Sequence, residues 1–553
     1  MSASPGRARP PLRRAAAAAA ARAPWLVDGY RLARDPRGEM ALRHDLDATR
    51  AAAMFLRAEL PPAGDAGVAL VAEYRDELFE TKLDLVLAAA LRLRGVEPVL
   101  SIPSRRAHRV ARYARAVGLH RVIAQDTLTL TRAERAECTD AGAALLAAPA
   151  DFGRVVRWTF RGYAIGTHVL STLIRTTFDG APDPGDPATR TRIAAILHDV
   201  LVNVVRAERL LRMLAPRMVL VEEANYSANG PLVDVAVHRG VDVVQTVPIW
   251  RDDAIMSKRI TSSTRRVDAK SVSTDTLTRV AREVSPAERD AALEDDFAAR
   301  YPPTARANGP LPAALRLDPE RRTVVVFCHV LWDASLFYGR DLFENYTDWL
   351  VHTVRAAVEN PCVNWVVKTH PSTVSVASRG RMIEEGSELA LIRARFPRLP
   401  DHVQVLAPDS PISAYTLYEH ADYGVTVRGT PGVEMSCFGK PAFTAGTGTY
   451  AGFGFTHDSS TAGEYLERLA TIHHVGPLPP AMVDRARWYA YALFIRRPWV
   501  PRAFSLTYDG ARPQQLRRSL TLTSRSLDEL RAPGDLDAWA RWALDADTED
   551  HLP

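Results

Sequence analysis

Long apolar runs are missing from this chain. No stretch of about 18 consecutive apolar residues occurs in its 553 positions, so no membrane-spanning helix is expected. Cysteine is scarce. Its four residues, Cys138, Cys328, Cys362 and Cys437, are widely spaced and form no Cys-x-x-Cys pair. That argues against a zinc site or a disulfide framework and for reduced thiols in a cytoplasmic setting. Charge of one sign is lacking too. A formal net charge of +5 is mild for this length and does not point to nucleic acid. It is compatible with a weak attraction to phosphate-bearing substrates or to an anionic membrane surface. A convincing secretion signal is also absent: the Ala15–Ala21 run is short and weakly apolar, and no clear cleavage site follows it. Residues 1–24, rich in Arg, Ala and Pro, read as a disordered tail.

What is present is ordinary for a globular protein, with 47% hydrophobic and 24% charged residues. The length calls for two or three domains. Ordered structure is expected from about Trp25. A helical pattern over 41–60 ends at Pro61-Pro62-Ala63-Gly64. Val68–Ala72 then reads as a strand, Leu78–Arg94 as a helix capped by Gly95, and Pro98–Ile102 as a second strand. A helix over 106–117 leads to Arg121–Ala124. Strand–helix–strand at this spacing is a parallel βαβ unit. A mostly helical stretch over 131–215 leads to strand Met218–Val221, helix Pro231–His238 and strand Asp242–Thr246. Residues 255–320 lack a strong period, and the chain breakers at 301–303 and 309–312 mark an interdomain connection. A cleaner strand–helix series follows, with strands at Thr323–Phe327, Trp365–Lys368, Val403–Leu406, Tyr423–Val427 and Pro441–Thr444. The region 480–550 reads as helical and rich in tryptophan. The expected architecture is α/β, with two Rossmann-like domains facing a cleft and C-terminal helices packing across them. The expected layout is 25–300, linker 301–320, 321–475 and a helical segment 476–553.

In open α/β sheets ligands bind at the carboxyl ends of the strands, and in the second series those ends carry three distinctive loops. Lys368-Thr369-His370-Pro371 leaves a strand; Pro371 disfavours helix at His370 and lets the imidazole face a phosphate. Arg428-Gly429-Thr430-Pro431-Gly432-Val433-Glu434 runs from a strand into a helix, whose free N–H groups and dipole suit an anion. Gly429 permits close backbone approach. Gly446–Phe455, with Tyr450 among its glycines, suits a loop that stacks on or closes over a ligand. Each has a bland alternative: an ordinary strand-to-loop histidine, a helix start without ligand, a set of structural turns. His329 and Asp333, after the first strand of this series, face the same cleft; a buried histidine bonded to backbone is the competing reading.

In order and spacing, His-Pro, then Gly-Thr-x-Gly-x-Glu, then Gly439-Lys440-Pro441 and a glycine–tyrosine loop, residues 320–470 resemble the nucleotide-binding half of the capsule polysaccharide and surface carbohydrate biosynthesis glycosyltransferases of GT-B fold. In the first half the resemblance is looser, carried by Arg161–Gly166, Arg175 and Glu222–Gly240. It implies a glycosyltransferase that moves a sugar from a nucleotide-activated donor, CMP-linked in preference, to a cell-surface or capsular glycan. It implies donor contacts at His329, Asp333, Lys368, His370, Pro371, Arg428, Gly429, Thr430, Glu434 and Tyr450, with His370 on the phosphate and Glu434 on the ribose. Acceptor-side contacts fall to Arg161, Arg175, Asn225 and Tyr226. The general base, normally from the first domain, is sought among Glu73, Asp76, Glu222 and Glu223, all at strand exits. No clear Asp-x-Asp element of the metal-dependent type is present, so no metal and no cofactor are expected, the nucleotide-sugar being a substrate. The expected partners are that donor, a glycan or lipid-linked glycan acceptor and the inner face of the plasma membrane. Three other classes share the architecture or the histidine–proline element: a CDP-polyol phosphotransferase, a UDP-sugar 2-epimerase-like isomerase, and a non-catalytic nucleotide- or glycan-binding relative.

Overall fold

The computed structural model describes residue 29 and residues 32–72, 78–148, 151–301, 315–333, 335–371, 387–512 and 516–553. The base candidates Glu73 and Asp76, the tail 1–24 and residues 302–314 of the expected linker lie outside the described residues. Two six-stranded sheets organise the molecule. The first contains β1 (Val68–Ala72), β2 (Glu97–Ile102), β3 (Val122–Ala124), β4 (Met218–Val221), β5 (Asp242–Pro248) and β6 (Ile255–Ile260). Their spatial order is β3-β2-β1-β4-β5-β6, parallel throughout except for β6, which runs antiparallel to β5. The second contains β7 (Thr323–Phe327), β8 (Asn364–Lys368), β9 (Val403–Leu406), β10 (Tyr423–Thr426), β11 (Ala442–Thr444) and β12 (His457–Asp458). Its order is β9-β8-β7-β10-β11-β12, all parallel. These are two Rossmann-like units. Their central strands are short, unbroken apolar runs, such as Val-Ala-Leu-Val-Ala in β1 and Thr-Val-Val-Val-Phe in β7, because helices cover both faces of a parallel sheet.

Each sheet reverses direction of growth once, between β1 and β4 in the first and between β7 and β10 in the second. Such switch points open a crevice at the strand exits. Residues 222–230 and 328–333, which leave β4 and β7, and the turn 427–432 after β10 therefore occupy the positions that topology reserves for ligands.

The charged stretch after residue 255 holds more order than its composition suggests. It forms β6 and the helices Thr274–Glu283 and Pro286–Arg300, the latter opened by a Ser285–Glu288 capping box. Strand β6 reads Ile-Met-Ser-Lys-Arg-Ile and is buried along its whole length. Lys258 lies 2.7 Å from Asp550, and Arg259 pairs with Asp242. The open edge of β6 is closed by the C-terminal segment: Ile255 and Trp499 exchange backbone hydrogen bonds, and Arg259 N–H donates to the Glu549 carbonyl at 2.7 Å. Covering a sheet edge removes a site of unwanted strand pairing.

The C-terminal segment also departs from an all-helical reading. Phe504–Tyr508 and Arg518–Leu522 form an antiparallel hairpin. Helix Pro480–Tyr491 packs on Pro431–Cys437 of the second unit, while Asp535–Asp545 packs on Leu78–Leu93 of the first, so the segment crosses both. Cys138, Cys328 and Cys437 are buried free thiols and Cys362 is exposed. Among the described residues no helix is long and apolar enough to cross a membrane.

Candidate active site

At the second switch point His329 leaves β7 and lies against the turn that leaves β10. Its Nε2 accepts from the Arg428 N–H at 3.3 Å and sits 3.1 Å from Thr426 Oγ1. With Nε2 accepting, the neutral ring carries its proton on Nδ1. The imidazole stacks on Tyr346 at 4.7 Å and meets Trp349 edge-on at 6.0 Å. Burial, reinforced by Arg428 and His370, pushes its pKa down to about 3, so the ring is uncharged at neutral pH. His370 leaves β8, the neighbouring strand. Burial foremost, and Lys368 with it, holds this imidazole below its usual range, while Asp333 pulls the other way. Lys368 is likewise lowered by burial. The strand exit that carries them is fixed by Thr369, whose hydroxyl donates to the Leu406 carbonyl at 2.7 Å. His329, Asp333, Lys368, His370 and the backbone of Arg428 are thus brought together. Pro371 and Thr430 are exposed beside them.

Four sequence assignments change in the structure, three of them around this turn. The Arg428 guanidinium does not face a phosphate. It is buried, pairs with Asp341 and donates to the Tyr338 carbonyl, which ties the β10 exit to the loop after β7. Tyr450 is buried beneath the turn, and its hydroxyl donates to the Gly429 carbonyl at 2.7 Å. It supports the 429–432 turn, and its buried ring is not placed to stack on a ligand. A Cβ on Gly432 would lie 2.1 Å from the Tyr450 hydroxyl. Gly432→Ala is therefore expected to displace that ring and lower stability by about 1–3 kcal/mol; Tyr450→Ala in the same chain should recover part of the loss in a urea titration.

Glu434 differs most. Only 1% exposed, its carboxylate accepts from Arg300, from the Tyr301 hydroxyl at 3.0 Å and from the Tyr418 hydroxyl at 2.8 Å. Both oxygens are engaged, so no ribose hydroxyl reaches them in this conformation. The residue instead fastens helix Pro286–Arg300 to the second unit, because a buried carboxylate is tolerated only when paired and hydrogen-bonded.

On the first unit, Asn225 sits in the loop after β4. Its Nδ2 donates to the Tyr338 hydroxyl at 3.1 Å, a bond between the two units. Its backbone carbonyl accepts from His168 Nδ1 at 2.9 Å, and His168 Nε2 lies 2.6 Å from Asp234. Asp234 also accepts from Arg265 at 2.5 Å. Burial alone would raise its pKa, but Arg265 and His168 outweigh burial and hold it at about 2. Phe337, from the loop after β7, stacks on His168 at 5.0 Å and lies 5.3 Å from the Arg265 guanidinium. Glu223 accepts from the Asn225 N–H at 2.8 Å, and the Glu222 carbonyl accepts from Gln245 at 2.9 Å. Glu223, Tyr226, Asp268 and Asp333 all lie within electrostatic reach of the Tyr338 hydroxyl. Tyr338 is therefore the point where the two switch-point crevices meet.

Arg175 lies at the same junction, with its guanidinium 4.7 Å over the Trp332 ring. Arg161 does not. It pairs with Glu137 and Glu208 in a left-handed turn (φ 52°) beside helices 132–147 and 187–214, and serves that packing. Sequence reasoning missed His168, Asp234, Arg265, Phe337, Tyr338 and Asp341. His168 had a usable signal, lying two residues past the Arg161–Gly166 element. Arg265 and Asp341 sit in stretches without a period and carried none.

Residues 311–473 match the family described as capsule polysaccharide biosynthesis protein. The protein is thus an α/β chain of two Rossmann-like units. The match lies on the second of these units. Among solved structures, a Thermosulfurimonas dismutans KpsC, a beta Kdo 2,7 transferase, is similar at 15% identity and a TM-score of 0.30, covering 57% of this chain and 85% of that one. A UDP-GlcNAc 2-epimerase from Neisseria meningitidis is similar at 9% identity and 0.24, covering 76% and 97%. The spinosyn rhamnosyltransferase SpnG is similar at 14% and 0.23, covering 77% and 94%. No curated protein matches.

Proposed function

We propose that this protein is a GT-B glycosyltransferase that moves a sugar from a nucleotide-activated donor, CMP-linked in preference, onto a capsular or other cell-surface glycan in the cytoplasm. The observation that carries the reading is the meeting of the two switch-point crevices at Tyr338. His329, Lys368, His370 and the 429–432 backbone lie on one side, and Glu223, Asn225 and Tyr226 on the other. The first group suits a donor phosphate. The Thr430 N–H, one ammonium and two imidazoles stabilise charge as it develops on the leaving nucleotide, an electrostatic contribution that requires no metal. The second group suits an acceptor hydroxyl. In an inverting transfer Glu223 takes the hydroxyl proton, the oxygen bonds to the anomeric carbon, and the nucleotide phosphate departs with the electron pair of the broken bond. Glu222, Glu73 and Asp76 are the other candidates for that base. Arg428, Tyr450, His168, Asp234 and Arg265 act through the loops they hold.

The test is a donor screen. The purified protein is incubated with CMP-, CDP- and UDP-linked donors, and nucleotide release and thermal shift are followed. Stabilisation by CMP but not by UDP is expected; no shift with any nucleotide sinks the donor site. Transfer of a polyol phosphate from a CDP donor, or interconversion of a UDP-sugar without acceptor, would instead select the phosphotransferase or the isomerase. Binding without turnover would select the non-catalytic reading. His370→Ala is expected to weaken donor binding about tenfold or more, the loss of one hydrogen bond to a charged group, with the melting temperature barely changed. Collapse of the fold would make His370 structural.

A further inference from the structure

Away from the strand exits, the first unit carries a second concavity. Helices Pro36–Ala52, Met54–Glu59 and Ser104–Ala116 enclose a recess of about 580 Å³. Its charged lining is of one sign: Arg50, Arg57, Arg112 and Arg115, joined by His120, with no carboxylate among its described lining residues. Arg50 has a partner outside the lining, Asp47 at 3.1 Å, and both side chains are about half exposed or more. Arg57 and Arg115 are exposed and form no ion pair among the described residues. Four guanidinium groups around one concavity nearly equal the net charge of the whole chain, +5. Like charges gathered there favour an anion, and a concave basic surface focuses the field that draws one in.

Two features select the anion. Guanidinium groups match phosphate oxygens in bidentate geometry, and the recess is far larger than one inorganic phosphate needs. At its rim, between Arg50 and Arg57, the Met54 side chain is 70% exposed. An unbranched apolar side chain held out beside basic groups is the arrangement by which a surface engages headgroups and the acyl boundary together. We infer that this recess docks the protein on an anionic phospholipid surface. Arginines take the headgroup phosphates and Met54 enters the boundary. The inference is independent of the transferase reading, because no residue of the recess belongs to the candidate active site.

The experiment is co-sedimentation of the full chain with phosphatidylglycerol–phosphatidylcholine vesicles against pure phosphatidylcholine vesicles. Binding is expected to the first and not to the second, and is expected to fall as salt shortens the Debye length. Arg57→Glu with Arg115→Glu is expected to reduce vesicle affinity at least roughly tenfold, since each basic group near an anionic surface is worth about fivefold. Met54→Ser should reduce it several-fold at constant salt. Both residues of the charge pair are exposed, so the urea midpoint should not move. If that variant misfolds, Arg57→Gln with Arg115→Gln replaces it. The basic residues of 1–23 are common to all variants and so do not account for a difference between them. Equal binding to both vesicle types, or charge variants that bind like the parent, overturns the inference. So does inorganic phosphate binding in the recess by calorimetry without vesicle binding, which would identify a free anion as the occupant.

Discussion

Asp550→Ala is expected to destabilise the first unit by about 3–5 kcal/mol, the usual result of removing one member of a buried ion pair. Asp550 is 2% exposed, and it faces Lys258 (1%) and Arg497 (0%). Its carboxylate lies 2.7 Å from the Lys258 ammonium and 3.3 Å from the Arg497 guanidinium, and accepts from the Ser273 N–H at 2.7 Å. Burial alone would raise its pKa. Arg497 and Lys258 outweigh burial and hold it at about 2. Burial pulls the Lys258 ammonium down, with Asp550 opposing. The Lys258 ammonium also lies 3.5 Å from Glu549, so the charges of the cluster depend on one another. Truncation to Ala leaves two cations in a dry interior. Asn keeps the acceptor for Ser273 but not the charge, so Asp550→Asn should cost less than Ala. Combining it with Lys258→Met should recover much of that loss, because replacing a buried pair by apolar groups is often neutral. The measurement is a urea titration followed by tryptophan fluorescence, for which Trp499 and Trp539, stacked at 6.4 Å beside this cluster, serve as probes. A loss under about 1 kcal/mol for Asp550→Ala would show that the cluster is hydrated and the C-terminal segment only loosely docked.

That cluster also explains where sequence reasoning stops. Strands β7 to β11 and their exit loops were legible because each strand is a short apolar run closed by Gly, Pro or a polar turn, a signal confined to a few residues. Hence His329, His370 and the 429–432 turn were found at strand exits and lie together. β6 was not legible. Its Lys258 and Arg259 look like solvated residues until Asp550, 292 positions further on, neutralises the first. Glu434 has the same history in reverse. One turn into a helix beside an anion-facing turn, it looks like a ribose ligand. Its actual partners Arg300, Tyr301 and Tyr418 come from two other elements, and no local pattern announces them. Arg161 was read by its position in a motif and is claimed by Glu137 and Glu208. Local chemistry marks where strands end; which polar side chains stay free for a ligand is decided by partners distant in sequence.

Acidification should unfold the protein well above the carboxylate range, and two histidines set the window. His551 is 2% exposed, packs edge-on to Trp499 at 5.3 Å and near Trp542 at 5.2 Å, and neither ring nitrogen has a hydrogen-bond partner among the described residues. Burial, with Arg497 adding repulsion, pushes its pKa down to about 3. His329 is pushed to about 3 in the same way at the candidate active site. In the unfolded chain both titrate near their ordinary value of about 6.5. Between about pH 6.5 and 3 the unfolded state therefore binds protons at both rings that the folded state excludes; His370 and His457, also lowered by burial, act with the same sign, and stability rises with pH across that interval. The stabilisation is fully present above about pH 6.5 and is lost as pH falls, at up to about 1.4 kcal/mol per pH unit for each histidine. Asp550 and Asp234, both held at about 2, have the same sign, but their contribution is lost only below about pH 4. Urea midpoints measured from pH 8 to 4.5 should be level at first and then fall with both slopes combined. His551→Leu, which cannot charge, should make the fall shallower by the share of that one ring. A midpoint that stays level down to pH 4.5, or a His551→Leu variant that falls as steeply as the parent, would show that these rings take up protons without leaving the folded state.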